Sequence, residues 1–265
     1  MAPKVNTSKC EELTVTRKRH PFGSDYKFNN NSLEHVTQVK DLGETISPDL
    51  TWDTHINTIL AKANRMLAFL RRNSVMSTTD HRKLLYLTFV RSCVRHTSES
   101  WAPSTICSVT KIESSMQGKK IHLKTHWQRD ISYHERFSRL NLLPLTYWHE
   151  VKDLIFYFKC RHGHYTLRID DYVKPKGTRL TRQSSDQDVL IPKCCTKLFQ
   201  FSYFNRIAKL WNTLPESTRT LTSLNWFKSH ALQRYSATFR TNYDVTHYNT
   251  WKSICCKCSR SRIFY

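Results

Sequence analysis

Residues 40–72 read KDLGETISPDLTWDTHINTILAKANRMLAFLRR. A Leu-Gly turn and an Asp-Leu-Thr-Trp segment come first. Apolar residues then recur every three or four positions, which predicts a helix over residues 54–72. Its apolar positions are Ile56, Ile59, Leu60, Ala63, Leu67 and Leu70. The helix ends in Arg71 and Arg72, where cations are favoured. The stretch therefore predicts a joint between an extended segment and a helical, positively charged arm.

The residues before this joint have the alternation typical of short strands. Apolar and polar residues alternate around 13–17, 25–28 and 36–39, and Asn-Asn-Asn at 29–31 is a turn signal. This pattern predicts a small antiparallel set of strands, which is too small to form a domain by itself.

Further helical patterns follow the arm. They begin near residue 79 and cover about 109–124, 132–140, 145–162, 203–211 and a last helix from 223. Residues 164–197 are polar, basic and poor in apolar groups, which indicates a long loop or connector. The predicted fold is mainly α: a short N-terminal antiparallel β segment, a helical bundle and a second helical C-terminal region. The segments expected are 1–47, 48–130, 131–163, 164–198, 199–239 and 240–265.

Charge is the dominant feature of the composition. Lys and Arg number 42 against 21 Asp and Glu, which gives a net charge of +21. A field of this size attracts polyanions, and nucleic acid is the commonest polyanionic partner. The alternative is a basic surface that serves solubility alone. Between Lys62 and Arg95 there are eight basic residues and one acidic residue, Asp80, so the arm carries a large share of the charge.

Nothing near the start of the sequence has the apolar core of a signal peptide, and the longest apolar run, at 154–158, is too short to span a bilayer. We therefore expect an intracellular protein, nuclear or cytoplasmic, that is not secreted, has no membrane partner and keeps its nine cysteines reduced. Cys255 and Cys258 form half of a zinc-binding pattern, with His247 nearby. A second C-x-x-C is missing, and a flexible tail with free thiols is the alternative, so no resident cofactor is expected.

Paired aspartates bind two magnesium ions in nucleotidyl transfer, and Asp170-Asp171 is such a pair. The pair lies within the sequence RIDDYVKP at 168–175, which belongs to a basic connector. No second acidic cluster is evident in the sequence. Solvated loop carboxylates are the favoured interpretation. The sequence has no G-x-S-x-G, P-loop or H-E-x-x-H motif, and we expect no small-molecule substrate.

Basic residues interleaved with aromatic ones are a further nucleic-acid signal, because rings stack on bases while cations pair with phosphates. The groupings are Trp127 with Lys124 and Arg129, Tyr203 and Phe204 with Arg206, and Trp226 and Phe227 with Lys228. Most aromatics at helical spacing are core residues, so only a minority is expected to serve this way.

Several blocks, in this order and spacing, resemble one known family. They are NTSKCEELTVTRKR at 6–19, VKDLGETISPDLTWDTHINTILAKANRMLAFLRR at 39–72, KLLYLTFVRSCVRHTSESWAPSTI at 83–106, SYHERFSRLNLLPLTYWHEVKDLIFYFKCRHG at 132–163, SYFNRIAKLWNTLPESTRTLTSLNWFKSHALQRY at 202–235 and TWKSICCKC at 250–258. The chain resembles the carboxy-terminal part of non-LTR retrotransposon reverse transcriptases of the LINE type, similar to jockey elements. The resemblance covers nearly the whole chain.

The resemblance implies that residues 1–47 are the end of a polymerase palm and that residues 48–130 form a thumb, which holds duplex nucleic acid by phosphate contacts without reading sequence. The contact residues implied are Lys62, Arg65, Arg71, Arg72, Arg82 and Lys83, followed by Lys119, Lys120 and Lys124. The family's Phe/Tyr-x-Asp-Asp motif would lie before residue 1. No catalytic residue is therefore transferred, and Mg²⁺ is expected only if the palm is supplied.

The leading hypothesis is a truncated, non-catalytic reverse transcriptase that retains sequence-nonspecific RNA or DNA binding. One alternative is the C-terminal portion of an active RNA-directed DNA polymerase with an incomplete gene model. The second alternative is a relic without function.

Overall fold

A computed structural model describes residues 6, 9–16, 18, 23, 25–74, 77–103, 105–116, 133–176 and 186–242. The chain is mainly α with a small N-terminal strand segment, which confirms the predicted fold class. It divides into two compact units, residues 1–61 and residues 62–265.

Short strands make up the first unit. β2 (Lys27–Phe28) and β3 (Asn31–Ser32) form an antiparallel hairpin. Its turn residues, Asn29 and Asn30, have φ angles of 50° and 64°. Asparagine tolerates this left-handed region better than most residues, so the predicted turn at 29–31 is confirmed.

The strand pair β1 (Glu11–Glu12) and β4 (Glu34–His35) differs from the prediction of an antiparallel set, because these two strands pair in parallel. Alternation in the sequence specifies which face each side chain takes, not the direction of the neighbouring strand. The β2–β3 hairpin lies between β1 and β4 along the chain.

β5 (Val39–Asp41) and β6 (Glu44–Ile46) form a second antiparallel hairpin that leads towards the arm. The two residues between them, Leu42 and Gly43, have φ angles of 47° and 91°. Positive φ at both central positions defines the two-residue turn whose twist matches that of a hairpin, and glycine adopts it without steric cost.

The boundary between the two units falls within α1 (Asp53–Asn73). This helix exceeds the predicted span of 54–72 by one residue at each end. Its buried apolar residues are Ile56, Leu60, Ala63, Leu67 and Leu70, and Ile59 is half-buried, which confirms the predicted apolar stripe.

The helix predicted from residue 79 consists of three joined parts. α2 (Thr79–Leu85) is capped by the Thr78 hydroxyl, which accepts from the His81 amide at 3.4 Å. A π-helix (Tyr86–Arg91) and α3 (Ser92–Arg95) follow without a break.

The helices before the central one are shorter. α4 (Ser98–Trp101) begins after Thr97, whose φ is 46°. α5 (Ile106–Met116) begins three residues before the predicted helix at 109–124, whose second half lies outside the described residues. α6 (Tyr133–Arg139) lies within the predicted 132–140.

α7 (Leu145–Arg161) is the central helix of the second unit, and α4, α5, α9 and α11 all contact it. Two of its buried aromatic residues pack against neighbouring helices. Phe158 stacks on Phe227 of α11 with 4.3 Å between ring centroids, and Tyr157 packs edge-on against Trp211 of α9 with 4.9 Å between ring centroids. Burying a side chain of this size contributes about 1.5–3 kcal/mol. Among the described residues, no helix has the length and apolar character needed to cross a membrane.

The remaining helices are α8 (Lys197–Phe201), α9 (Tyr203–Asn212), α10 (Glu216–Arg219) and α11 (Leu224–Asn242). α9 ends just before the predicted Leu214-Pro215 stop. α4, α8 and α10 were not predicted. Helices of four or five residues are too short to show an apolar period.

The described part of the predicted connector has structure of its own. It contains a 3₁₀ helix (Ile169–Asp171) and an isolated antiparallel bridge between Pro175 and Val189. The Asn212 side chain accepts from the Val189 amide at 2.9 Å and donates to the Val189 carbonyl at 2.8 Å. One asparagine thereby ties this segment to the end of α9, which the polar composition of the connector does not reveal.

Candidate nucleic-acid interface

One face of α1 presents basic side chains outward. Lys62, Arg65 and Arg72 are exposed, and Phe69 lies among them with 53% of its surface exposed. At 3.6 residues per turn these four positions fall within about 80° of one another around the helix axis. The apolar residues of α1 lie on a different face, so the helix is apolar on one side and basic on the other.

The basic face of α1, defined by Lys62, Arg65, Phe69 and Arg72, has no carboxylate near it along the chain. The sequence between residues 54 and 79 contains no Asp or Glu, and the first acidic residue after α1 is Asp80. Arg72 also stands in the last turn of α1, where the carbonyl ends of the helix favour a cation. Asp53, in the first turn, is therefore the one acidic residue of α1, and no later residue of the helix offsets the positive potential of this face.

The other residues predicted to contact nucleic acid take different positions. Arg71 is half-buried and lies about 100° from Arg72 around the helix axis. Arg82 and Lys83, on α2, are also half-buried. Lys119, Lys120 and Lys124 lie outside the described residues. The structure thus leaves three of the six described candidates on one exposed face.

Two arginines that add to the charge of the arm point inward instead. Arg91 is 3% exposed and donates through Nη2 to the Leu143 carbonyl. The Arg95 guanidinium lies over the Trp148 ring, 4.0 Å from the ring centroid. Part of the positive charge between residues 62 and 95 therefore lies on the exposed basic face of α1, and part lies inside the second unit at Arg91 and Arg95. A count of charges in the sequence does not show this division.

A buried ion pair joins α7 to α9. Arg206 Nε lies 2.6 Å from Asp153 Oδ2, and its Nη2 also donates to the Glu99 carbonyl at 3.0 Å. Burial raises the pKa of Asp153 to about 6, although the charge of Arg206 and its hydrogen bond oppose the shift. Beside this pair, Lys152 Nζ lies 2.8 Å from Glu99 Oε2. Arg206 is accordingly a structural residue rather than a phosphate ligand.

Two further polar residues of the interior have specific partners. His149 donates from Nε2 to the Val94 carbonyl at 3.2 Å, and burial lowers its pKa to about 3, so its ring is neutral. Glu113 accepts from the Thr146 amide at 2.9 Å in the first turn of α7. Because a buried ionisable side chain is costly unless it is paired, each of these two residues has a partner.

The aromatic residues grouped with cations divide in the same way. Tyr203 donates its hydroxyl to the Asp153 carbonyl at 3.0 Å, and Phe204 stacks on Tyr172 at 4.4 Å, so both serve packing. Phe227 is buried, whereas Trp226 is 65% exposed. Lys228 is half-buried. Trp127, with Lys124 and Arg129, lies outside the described residues.

The candidate metal ligands are not brought together by the described structure. Asp170 and Asp171 are exposed on the 3₁₀ helix. Within the described ranges no group of three or more His, Cys, Asp or Glu side chains is arranged to hold a metal ion. His247, Cys255 and Cys258 lie outside the described residues.

Comparisons of the chain with models of protein families, with curated proteins and with solved structures find no significant match. The resemblance to LINE-type reverse transcriptases is therefore carried by the sequence blocks alone, and the function is inferred from the residues themselves.

Proposed function

We propose that this chain binds RNA or DNA without sequence specificity through the basic face of α1. One observation carries the proposal: Lys62, Arg65 and Arg72 are exposed on a single helical face, in a segment of sequence that contains no acidic residue from 54 to 79. Three cations spaced along one side of a helix can contact successive phosphates of a backbone. Such contacts fix position without reading bases.

Two further features support this proposal. The net charge of +21 favours encounter with polyanions of any sequence. Phe69 places an exposed aromatic ring between the cations, where it can lie against a sugar or an unstacked base. The thumb of the polymerases that this chain resembles would use helices in the same manner.

The proposal assigns no reaction to the chain. Two-metal nucleotidyl transfer requires carboxylates that converge on the metal ions. The Asp170-Asp171 pair lies instead on the exposed 3₁₀ helix of the connector.

The salt dependence of binding tests the proposal. The chain is titrated against two labelled duplexes of unrelated sequence, between about 50 mM and about 200 mM salt, where released counterions weaken phosphate contacts steeply. We expect similar affinities for both duplexes and a steep fall of both with salt. An affinity that is flat across this range, or one confined to a single sequence, would contradict the proposal.

A further inference from the structure

A second cluster of cations lies inside the second unit, around the ring of Trp148 in the first turn of α7. The Arg95 guanidinium carbon lies 4.0 Å from the centroid of the ring, and that of Arg91 lies 5.8 Å from it. Arg91 ends the π-helix and Arg95 ends α3, so one turn of helix separates them. Single turns of π-helix occur frequently at functional sites.

These arginines have no carboxylate partner among the described residues. The carboxylates close to them in the fold are engaged elsewhere, since Glu99 pairs with Lys152 and Glu113 accepts from Thr146. Three buried donors of the cluster also have no acceptor in the described structure; they are Arg91 Nε, Arg95 Nε and Trp148 Nε1.

The position of Arg95 suits an incoming anion. Its side chain is half-buried, and its guanidinium lies over the Trp148 ring, which restricts the positions that the guanidinium can take. A planar guanidinium donates through two parallel N–H groups to a phosphate, and a fixed plane loses less freedom when it does so. Burial, followed by the charge of Arg91, lowers the pKa of Arg95 to about 10.

We propose that Arg95, held on Trp148 and backed by Arg91, binds a phosphate group. The phosphate can belong to a nucleic-acid backbone, to the end of a nucleic-acid strand or to a free phosphate ion. We call these three side chains the Arg95 site. It shares no residue with the basic face of α1, so an experiment can contradict one of the two binding proposals and support the other.

The thermal stability of the full chain tests the Arg95 site. A ligand that binds only the folded state raises the melting temperature as its concentration rises. The probes are inorganic phosphate, a 5′-phosphorylated oligonucleotide and the same oligonucleotide with a 5′-hydroxyl, each at constant ionic strength. Arg95→Lys keeps the charge but loses the planar fork. The control, Arg240→Lys, makes the same change at an exposed position of α11 that belongs to neither proposed site.

We expect Arg95→Lys to weaken the binding of at least one probe by about tenfold, the loss of one charged hydrogen bond, while Arg240→Lys leaves the effect of every probe unchanged. A response to inorganic phosphate indicates a free-ion site. A response to the 5′-phosphorylated strand alone indicates a terminal phosphate, and equal responses to both strands indicate the backbone. If no probe depends on Arg95, the proposal is overturned.

A measurement on the wild-type chain covers the case in which Arg95→Lys does not fold. Phenylglyoxal modifies accessible arginines, and peptide mapping by mass spectrometry reports each site. Whichever probe raises the melting temperature of the wild type should protect Arg95 while the exposed Arg139 remains reactive. Equal modification of Arg95 with and without every probe overturns the proposal.

Discussion

The guanidinium of Arg206 lies 2.6 Å from the carboxylate of Asp153, and the two side chains are only 4% and 2% exposed. This pair joins the central helix α7 to α9 in the interior of the second unit. Taking two charges out of water is costly, and the cost is offset only while both partners are present. The pair therefore makes the junction of α7 and α9 sensitive to the loss of one charge.

Replacing one partner of this pair is expected to be more harmful than replacing both. Arg206→Met leaves the Asp153 carboxylate buried and unpaired, and should reduce the free energy of unfolding by about 3–5 kcal/mol. The double variant Asp153→Leu with Arg206→Met should lose less than the single variant. Urea denaturation measures both.

The control is the exposed pair of Arg139 and Glu135, whose side chains are 59% and 47% exposed. Arg139→Met should change the free energy of unfolding by less than about 1 kcal/mol. Equal losses at the buried and the exposed pair would show that burial does not decide the strength of these contacts.

His149 should make the fold sensitive to acid. Its pKa is lowered from 6.5 to about 3 in the folded chain, so between these pH values the unfolded chain binds more protons. The contribution of His149 to stability is therefore fully present above pH 6.5 and is lost as the pH falls towards 3. His149→Gln keeps an N–H donor but does not titrate, so the stability gap between it and the wild type should narrow, and can reverse, as the pH falls.

Asp153 acts in the opposite direction, which is why the variant comparison is needed. Its pKa is raised from 3.8 to about 6, so its own contribution favours the folded state as the pH falls through this range. Melting temperatures of the wild type and of His149→Gln, recorded across both ranges, separate the two effects. A constant gap between the two proteins would contradict the assignment of a neutral, buried His149.

Truncating two adjacent residues of α11 should change the free energy of unfolding by very different amounts. Phe227 is 0% exposed and packs against Phe158, so Phe227→Ala should cost about 3–5 kcal/mol. Trp226 is 65% exposed, and Trp226→Ala should change the free energy of unfolding by no more than about 0.5 kcal/mol. Chemical denaturation of the two variants checks the orientation of α11. Similar costs would show that this face of the helix is placed wrongly.

Phe69 should contribute to binding without contributing to its salt dependence. An exposed ring that contacts a base or a sugar releases no counterion, so Phe69→Ala should weaken binding to single strands by about 1–3 kcal/mol per base contacted and leave the salt slope unchanged. Binding titrations at several salt concentrations separate the two quantities. A lower slope with unchanged affinity near physiological salt would contradict this role.

The elements with a strong apolar period could be predicted from the sequence. α1 and α7 begin and end within a residue or so of the predicted bounds, because each has buried residues that recur at helical spacing. The parallel pairing of β1 with β4 could not be predicted, since alternation contains no information on strand direction.

The candidate site was predictable only in part, for a related reason. Counting charges finds the arm, but it does not separate the exposed Lys62 and Arg65 from the buried Arg91. Phe69 was missed because it falls outside the apolar stripe of α1, and that position is itself the signal that could have found it. The pairing of Arg206 with Asp153 depends on how α9 packs on α7, which no local pattern specifies.

The binding of duplex nucleic acid by two charge-matched variants tests whether the basic face of α1 is the binding surface. The first variant replaces Lys62, Arg65 and Arg72, on the basic face of α1, by Gln. The second variant replaces three other exposed cations by Gln, namely Lys27, Lys40 and Arg240. Each loses the same charge. Each phosphate contact contributes about 0.9 to the slope of log affinity against log salt.

We expect the first variant to lose up to about 2.7 of this slope together with most of its affinity, while the second stays close to the wild type. Equal losses in both variants would contradict this expectation, because they would show that total charge, and not the basic face of α1, governs binding.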